Sequence, residues 1–199
     1  MEHQIEIDLA KRTGFFGIGS RDYRRSPMLR QVLRRLAPAA LERFYAKILA
    51  MPETARFFPS DQLLRHAKSK QLEHWESLFA GELSAEYVER AERIGHVHAR
   101  IGLDPTWYIG GYASVLEDII IQVSEPWWKR LLGFGRNGRG KQIATLVKLA
   151  LLDMDVALSA YFKAEQERRR AVIEDLGQAL AKLSDGDFTA RLQALPTDY

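Results

Sequence analysis

The sequence predicts an all-α protein. Nearly every long segment repeats its apolar residues with helical period, no run alternates as a strand does, and proline or glycine falls where one stripe gives way to the next. Leu29, Val32, Leu33 and Leu36 form a first short stripe, which Pro38 is expected to end. A second helix should run from Pro38 to about Leu49, stopped by "MPE", and a third from about Gln62 to Phe79, closed by Gly81. Ser84 suits the N-cap of a fourth, and Gly102 with Pro105 ends it. The fifth starts at Pro105 and reaches about Ser124. The connection "EPWWKRLLGFGRNGRGKQ" is basic and glycine-rich, and a sixth helix should run from Gln142 far past Phe162.

Composition narrows the class. The chain has 199 residues, enough for one packed domain and a short appendage. It has no cysteine, which removes disulfides and thiolate metal sites and fits a cytoplasmic location. A net charge of +3 is too small to imply nucleic acid. The N-terminus lacks the apolar core of a secretory signal, and Lys148, Asp153 and Asp155 interrupt the longest apolar region, so no membrane span is expected. "GRNGRGK" has the glycine and lysine spacing of a phosphate-binding loop. Gln142 follows it where Ser or Thr would hold magnesium, and no strand precedes it, so a solvated loop is the better reading.

Between Leu146 and Phe162 the sixth helix is apolar in nearly every direction. A helix apolar all round is buried all round. It is either a central core helix or one shared with a second copy of the chain, and a dimer is expected. Past Phe162 the composition turns to "KAEQERRRAVIEDLGQALAKL", where Ile173, Leu176, Leu180 and Leu183 alternate steps of three and four as a coiled-coil seam does. "SDGD" should break that helix and "FTARLQAL" begin another, which suggests a further domain beyond Tyr199.

Two of the five histidines stand two residues apart in "RIGHVHARIGLDPTWY". Successive helical residues turn by about 100°, so His96 and His98 point to nearly opposite sides. His98 shares its face with Ala91, Ile94 and Ile101; His96 shares its own with Glu89, Glu92, Arg93 and Arg100. His98 therefore faces the core and His96 faces water. A buried histidine needs both ring nitrogens accounted for. Either it is hydrogen-bonded within the core, or it ligates a metal. Zinc needs three or four convergent ligands, and no HExxH or cysteine set supplies them. Haem iron needs a single protein ligand.

"RIGHVHARIGLDPTWYIGGY" resembles the proximal-histidine segment of the globin-coupled sensors, in which a histidine followed by "xRIGLxPxWY" ligates haem iron. "LERFYAKILAMPE", "HWESLFAGEL" and "LLDMDVALSAYF" are similar to other helices of that family, over roughly residues 26 to 163. The resemblance implies a globin fold, a three-over-three helical sandwich, with an N-terminal extension over 1–25 and a long C-terminal helix. It implies haem b ligated by His98, with Tyr45 in the distal pocket donating a hydrogen bond to bound O2, and CO and NO as further ligands. Phe57 and Phe58 would pack on the porphyrin edge or in the core, and Tyr108 would touch the proximal side. With Trp75 at the centre of the third helix's face, Ala67, Gln71, Leu72, Leu78 and Phe79 come within distal reach. Lys68 falls on that face and would reach a propionate or solvent. Ser69, at its edge, is the nearest candidate for a second distal donor.

"LAKLSDGDFTARL" resembles the start of HAMP-type signalling linkers, which makes 164–199 a linker to an output domain. The function implied is an oxygen sensor without catalytic activity of its own. It would belong to an aerotaxis receptor, or alternatively to a histidine kinase or a redox sensor. Gas binding would bias a homodimer through the last two globin helices. A haem-free dimeric adaptor is the reading of a different class.

Overall fold

The computed structural model describes residues 2–124, 136–187 and 189, and those residues are helical or in short turns, with no strand among them. Eight helices follow in order: α1 (Glu2–Phe15), α2 (Ser20–Tyr23), α3 (Ser26–Ala50), α4 (Pro52–Ala55), α5 (Asp61–Leu78), α6 (Ala85–Arg100), α7 (Pro105–Ser124) and α8 (Arg136–Ser184). α6 lies along α8, α3 along α7, and α5 touches both α3 and α6. One core fills the space between them, built from Leu29, Leu33, Trp75, Val115, Leu149 and Val156 among others.

The caps follow from the residues. Ser60 Oγ accepts from the Leu63 N–H at 3.3 Å and Ser84 Oγ from the Tyr87 N–H at 3.3 Å, which opens α5 and α6 with one orphan donor satisfied at each end. α6 stops after Arg100 because Gly102 takes a φ of +66°. The Leu103 N–H then reaches back to the His98 carbonyl at 2.9 Å and the Gly102 N–H to that of Ala99 at 3.1 Å. The backbone of His98 is thereby tied into the end of its helix.

Pro38 does not end a helix: α3 runs through it as 25 continuous residues. Proline removes one hydrogen bond, here to the Arg34 carbonyl, at a cost of ~3 kcal/mol. Pro38 and Arg34 both lie on the exposed side, open to water. Buried residues on each side, Leu33, Leu36, Ala37, Ala40 and Leu41, hold the two halves against one core. Tertiary packing overrides the local signal.

The residues before position 26 contribute to the core. Leu9 and Ile18 are buried, and polar contacts fasten the segment to α8. Arg12 pairs with Asp155, and the buried Asp22 takes Lys148 Nζ at 2.8 Å and the Thr145 hydroxyl at 2.6 Å. At the other end of the sequence, the coiled-coil positions Ile173, Leu176, Leu180 and Leu183 are all exposed on α8, and the helix stops at Ser184 within "SDGD". Residues 136–141 of the glycine-rich run are helical, not a loop. The rest of that connection and most of "FTARLQAL" lie outside the described residues.

Burial alone would raise the Asp22 carboxyl, but Lys148, Thr145 and the Gly19 N–H outweigh it and hold the group below its ordinary value. A carboxylate with a lowered folded-state pKa stabilises fully above the unfolded value of about 3.9 and loses that contribution as pH falls through the folded one. Asp22→Asn should therefore lower stability at neutral pH and flatten the loss of stability below about pH 4. Chemical denaturation at a series of pH values checks both.

Candidate functional site

His98 sits in the last turn of α6, partly buried, while His96 is exposed, as the helical phase requires. Neither ring nitrogen of His98 has a hydrogen-bond partner among the described residues. Burial pushes its pKa down to about 4, so the imidazole is neutral and its lone pair free. The ring of Tyr108, from the first turn of α7, lies 4.9 Å away between centroids. A narrow cleft beside them is lined by Gly95, Leu103, Ala157 and Tyr161. The Tyr108 hydroxyl is buried beside Tyr112. Its pKa is raised by burial and by Asp153, so it keeps its proton.

α6 can place His98 here because Gly95, one turn earlier, has no side chain. A Cβ at that position would stand 2.0 Å from the Ala157 carbonyl oxygen of α8. The two helices meet backbone to backbone.

Tyr45 is buried on α3 and donates its hydroxyl proton to Gln71 Oε1 of α5 at 3.0 Å. Burial raises its pKa to about 12, so it remains a donor. Phe58 packs edge-on against its ring at 5.5 Å and Phe44 at 5.1 Å. Phe44 in turn lies on the bare backbone of Gly111 in α7, near enough that a Cβ there would come within 3.0 Å of it. Aromatic rings thus line the interior from Tyr45 across α7 toward Tyr108 and His98.

The other sequence-derived candidates fall around this centre. Trp75 is buried, 6.2 Å from Tyr112, and Leu72 packs half-buried against the core. Phe57 is half-buried beneath the Arg56 guanidinium at 4.9 Å, and Ala67 is half-buried on α5. Lys68 lies 5.5 Å over the Tyr45 ring, with its charge held by Glu42 at 2.7 Å. Ser69 is exposed and bonded to Glu73 at 3.2 Å, so the polar partner beside Tyr45 is Gln71.

A second group of side chains is not announced by helical spacing. Asp153, fully buried on α8, accepts from Tyr87 of α6 at 2.6 Å, from His74 Nε2 of α5 at 2.7 Å and from Tyr112 of α7. The signal was present: a carboxylate inside an apolar run must find donors.

These residues fit a haem. A neutral histidine whose nitrogens have no partner among the described residues stands on one side, and a protonated tyrosine paired with a glutamine stands on a second helix pair. The fold is that of a globin. The Protoglobin family model matches residues 6–167, and the chain belongs to that family. It is 25% identical to the heme-based aerotactic transducer HemAT of Halobacterium salinarum, over 96% of this chain and 40% of the transducer. The chain thus spans less than half the length of that relative. Among solved structures it is similar to the globin domain of a Geobacter sulfurreducens globin-coupled sensor. The TM-score is 0.66 at 22% identity, covering 76% of this chain and 96% of that one. Among the described residues no helix is long and apolar enough to cross a membrane.

Gln71→Leu should strand the buried Tyr45 hydroxyl and destabilise the protein by about 1–3 kcal/mol. Adding Tyr45→Phe to it should recover much of that loss, since both partners are then apolar. Denaturant melts of the two singles and the double complete the cycle; strictly additive losses would show that the pair does not interact.

Proposed function

We propose that this chain is a haem-based gas-sensing domain of a bacterial signal transducer, with O2 as the principal ligand and CO and NO as further ones. The observation that carries the reading is His98, neutral, partly buried in a globin fold and with neither ring nitrogen bonded to another described residue. The named function of the Halobacterium relative supports it, and makes an aerotaxis receptor the favoured whole. Haem b would supply an iron with one coordination position open to a diatomic gas.

The protein's part is positioning. His98 offers a lone pair, held in place by the helix-end bonds of its own backbone and by the Tyr108 ring. Tyr45 keeps its proton and points it at Gln71 Oε1. A polar gas competes for that proton better than a weakly polar one, which favours O2 over CO. Phe57, Phe58, Leu72 and Trp75 supply apolar cover, and Lys68 a cation at the rim. We assign residues 26–163 to the sensing unit, 1–25 to an extension packed on it, and 164–199 to a linker toward a signalling domain. The sensor acts in the cytoplasm and performs no catalysis itself.

A homodimer completes the proposal. Phe162 is 57% exposed on α8, and Leu151 of α8 and Ile109 and Ile121 of α7 are also uncovered, as is the seam from Ile173 to Leu183. A second copy aligned through α7 and α8 would cover them.

Purified protein loaded with haem should show a Soret band that His98→Ala weakens or abolishes. A colourless wild type after reconstitution would return the chain to the class of haem-free adaptors. Tyr45→Phe should speed O2 dissociation about tenfold, the equivalent of one hydrogen bond worth ~1.4 kcal/mol, and change CO much less. Stopped-flow measurement with both gases decides it, and equal effects would count against a direct bond. Light scattering at micromolar concentration should give a dimer that Ile173→Lys with Leu180→Lys weakens.

A further inference from the structure

The Asp153 carboxylate sits at the crossing of four helices. It takes one donor from each of α5, α6 and α7, and itself belongs to α8. Burial opposes its ionisation, but His74 and the two tyrosine hydroxyls outweigh burial and bring its pKa below the ordinary carboxyl value. Tyr87 and Tyr112 are pushed well above theirs by the same burial and by Asp153. The charge is therefore on Asp153 and the protons on its donors. An ionised Asp153 can only accept, so His74 Nε2 is the donor at 2.7 Å; His74 Nδ1 is buried without a partner among the described residues.

Two of these donors continue into the gas site. His74 lies one helical turn after Gln71, which holds the Tyr45 proton. Tyr112 packs at 5.1 Å on Tyr108, which packs at 4.9 Å on His98. The distal and proximal sides thus each reach Asp153 through one intervening residue pair, and Asp153 lies on the helix that runs on to Ser184.

We propose that Asp153 is a positioning residue that couples the gas site to α8: its carboxylate receives donors from both sides of the pocket and shifts α8 when either side moves. The proposal rests on the haem reading above. A polar cluster of this kind is weak as a source of stability, because desolvation consumes most of the Coulomb gain. What it supplies is a discrete geometry: three donors converge on two oxygens, and no donor can move without loosening a bond to α8. Coupling of two sites needs such an element, one whose arrangement both of them bias.

The test is amide hydrogen exchange over residues 165–184 in the whole chain, ferrous and haem-loaded, with and without CO. Wild type should change its exchange about fivefold or more on CO binding, in the ordinary range of coupling between sites. Asp153→Asn should keep its Soret band and bind CO, yet lose most of that change. Tyr112→Phe should lose part of it and add nothing in the Asp153→Asn background. An Asn variant retaining the full change, or a Tyr112→Phe effect that simply adds, overturns the proposal. If Asp153→Asn does not fold, Tyr112→Phe and Tyr87→Phe carry the test, and an undiminished change in both overturns it.

A second readout needs no haem. In the apoprotein, nitrogen NMR of the His74 ring should show a slowly exchanging Nε2 proton that Asp153→Asn releases. A fast-exchanging proton in wild type overturns the arrangement. A wild type that binds haem and CO without altering α8 overturns this proposal alone. A wild type that takes up no haem overturns the proposed function and this proposal with it.

Discussion

The backbone contact between α6 and α8 at Gly95 and Ala157 sets the geometry on which the site depends. With no side chain between them, the helices approach more closely there than a larger residue would allow. His98 follows one turn later, so its depth in the fold is set by that approach. Ala99 and Ala160 continue the close face with small residues, both of them buried. A larger residue at 95 would move the histidine and α8 apart together, because extra volume in a packed interior displaces whatever it meets.

Much of this was legible in the sequence because it is local. Two histidines two residues apart are sorted by helical rotation alone, and the neighbours of His98 are apolar. Ser84 and Gly102 mark the ends of α6 by chemistry that acts within a turn or two. The identity of the ligand chemistry was legible only through resemblance, since a lone inward histidine has more than one explanation. Pro38 misled for a physical reason: a local breaking signal of a few kcal/mol met buried residues on both sides that share one core. α1 escaped notice because polar clamps as well as apolar contacts hold it, and Arg12 finds Asp155 across 143 residues. Asp153 is the same case in the interior. Its donors lie 41, 66 and 79 residues away, and nothing in the spacing announces them.

Polar groups are distributed unevenly through the fold. The core near α3 and α7 is carried by leucine, valine and isoleucine, which pack without demanding orientation. The interior around α8 instead holds Asp22, Thr145, His74 and Asp153, all buried. Such groups tolerate few alternative arrangements, because each misplaced donor leaves an unsatisfied partner. α8 is therefore the helix whose rotation and height are most tightly specified, from the N-terminal clamp at Lys148 to the carboxylate at Asp153.

That specification matters because of the length of α8. At 1.5 Å per residue its 49 residues form a rod of about 73 Å. Ser184 stands roughly 46 Å along the helix from Asp153. A tilt of about 5° at the carboxylate would swing that far end by about 4 Å. The helix is a lever arm with a shorter inner end and a longer outer one, and a tilt of a few degrees inside becomes a displacement of several ångströms outside.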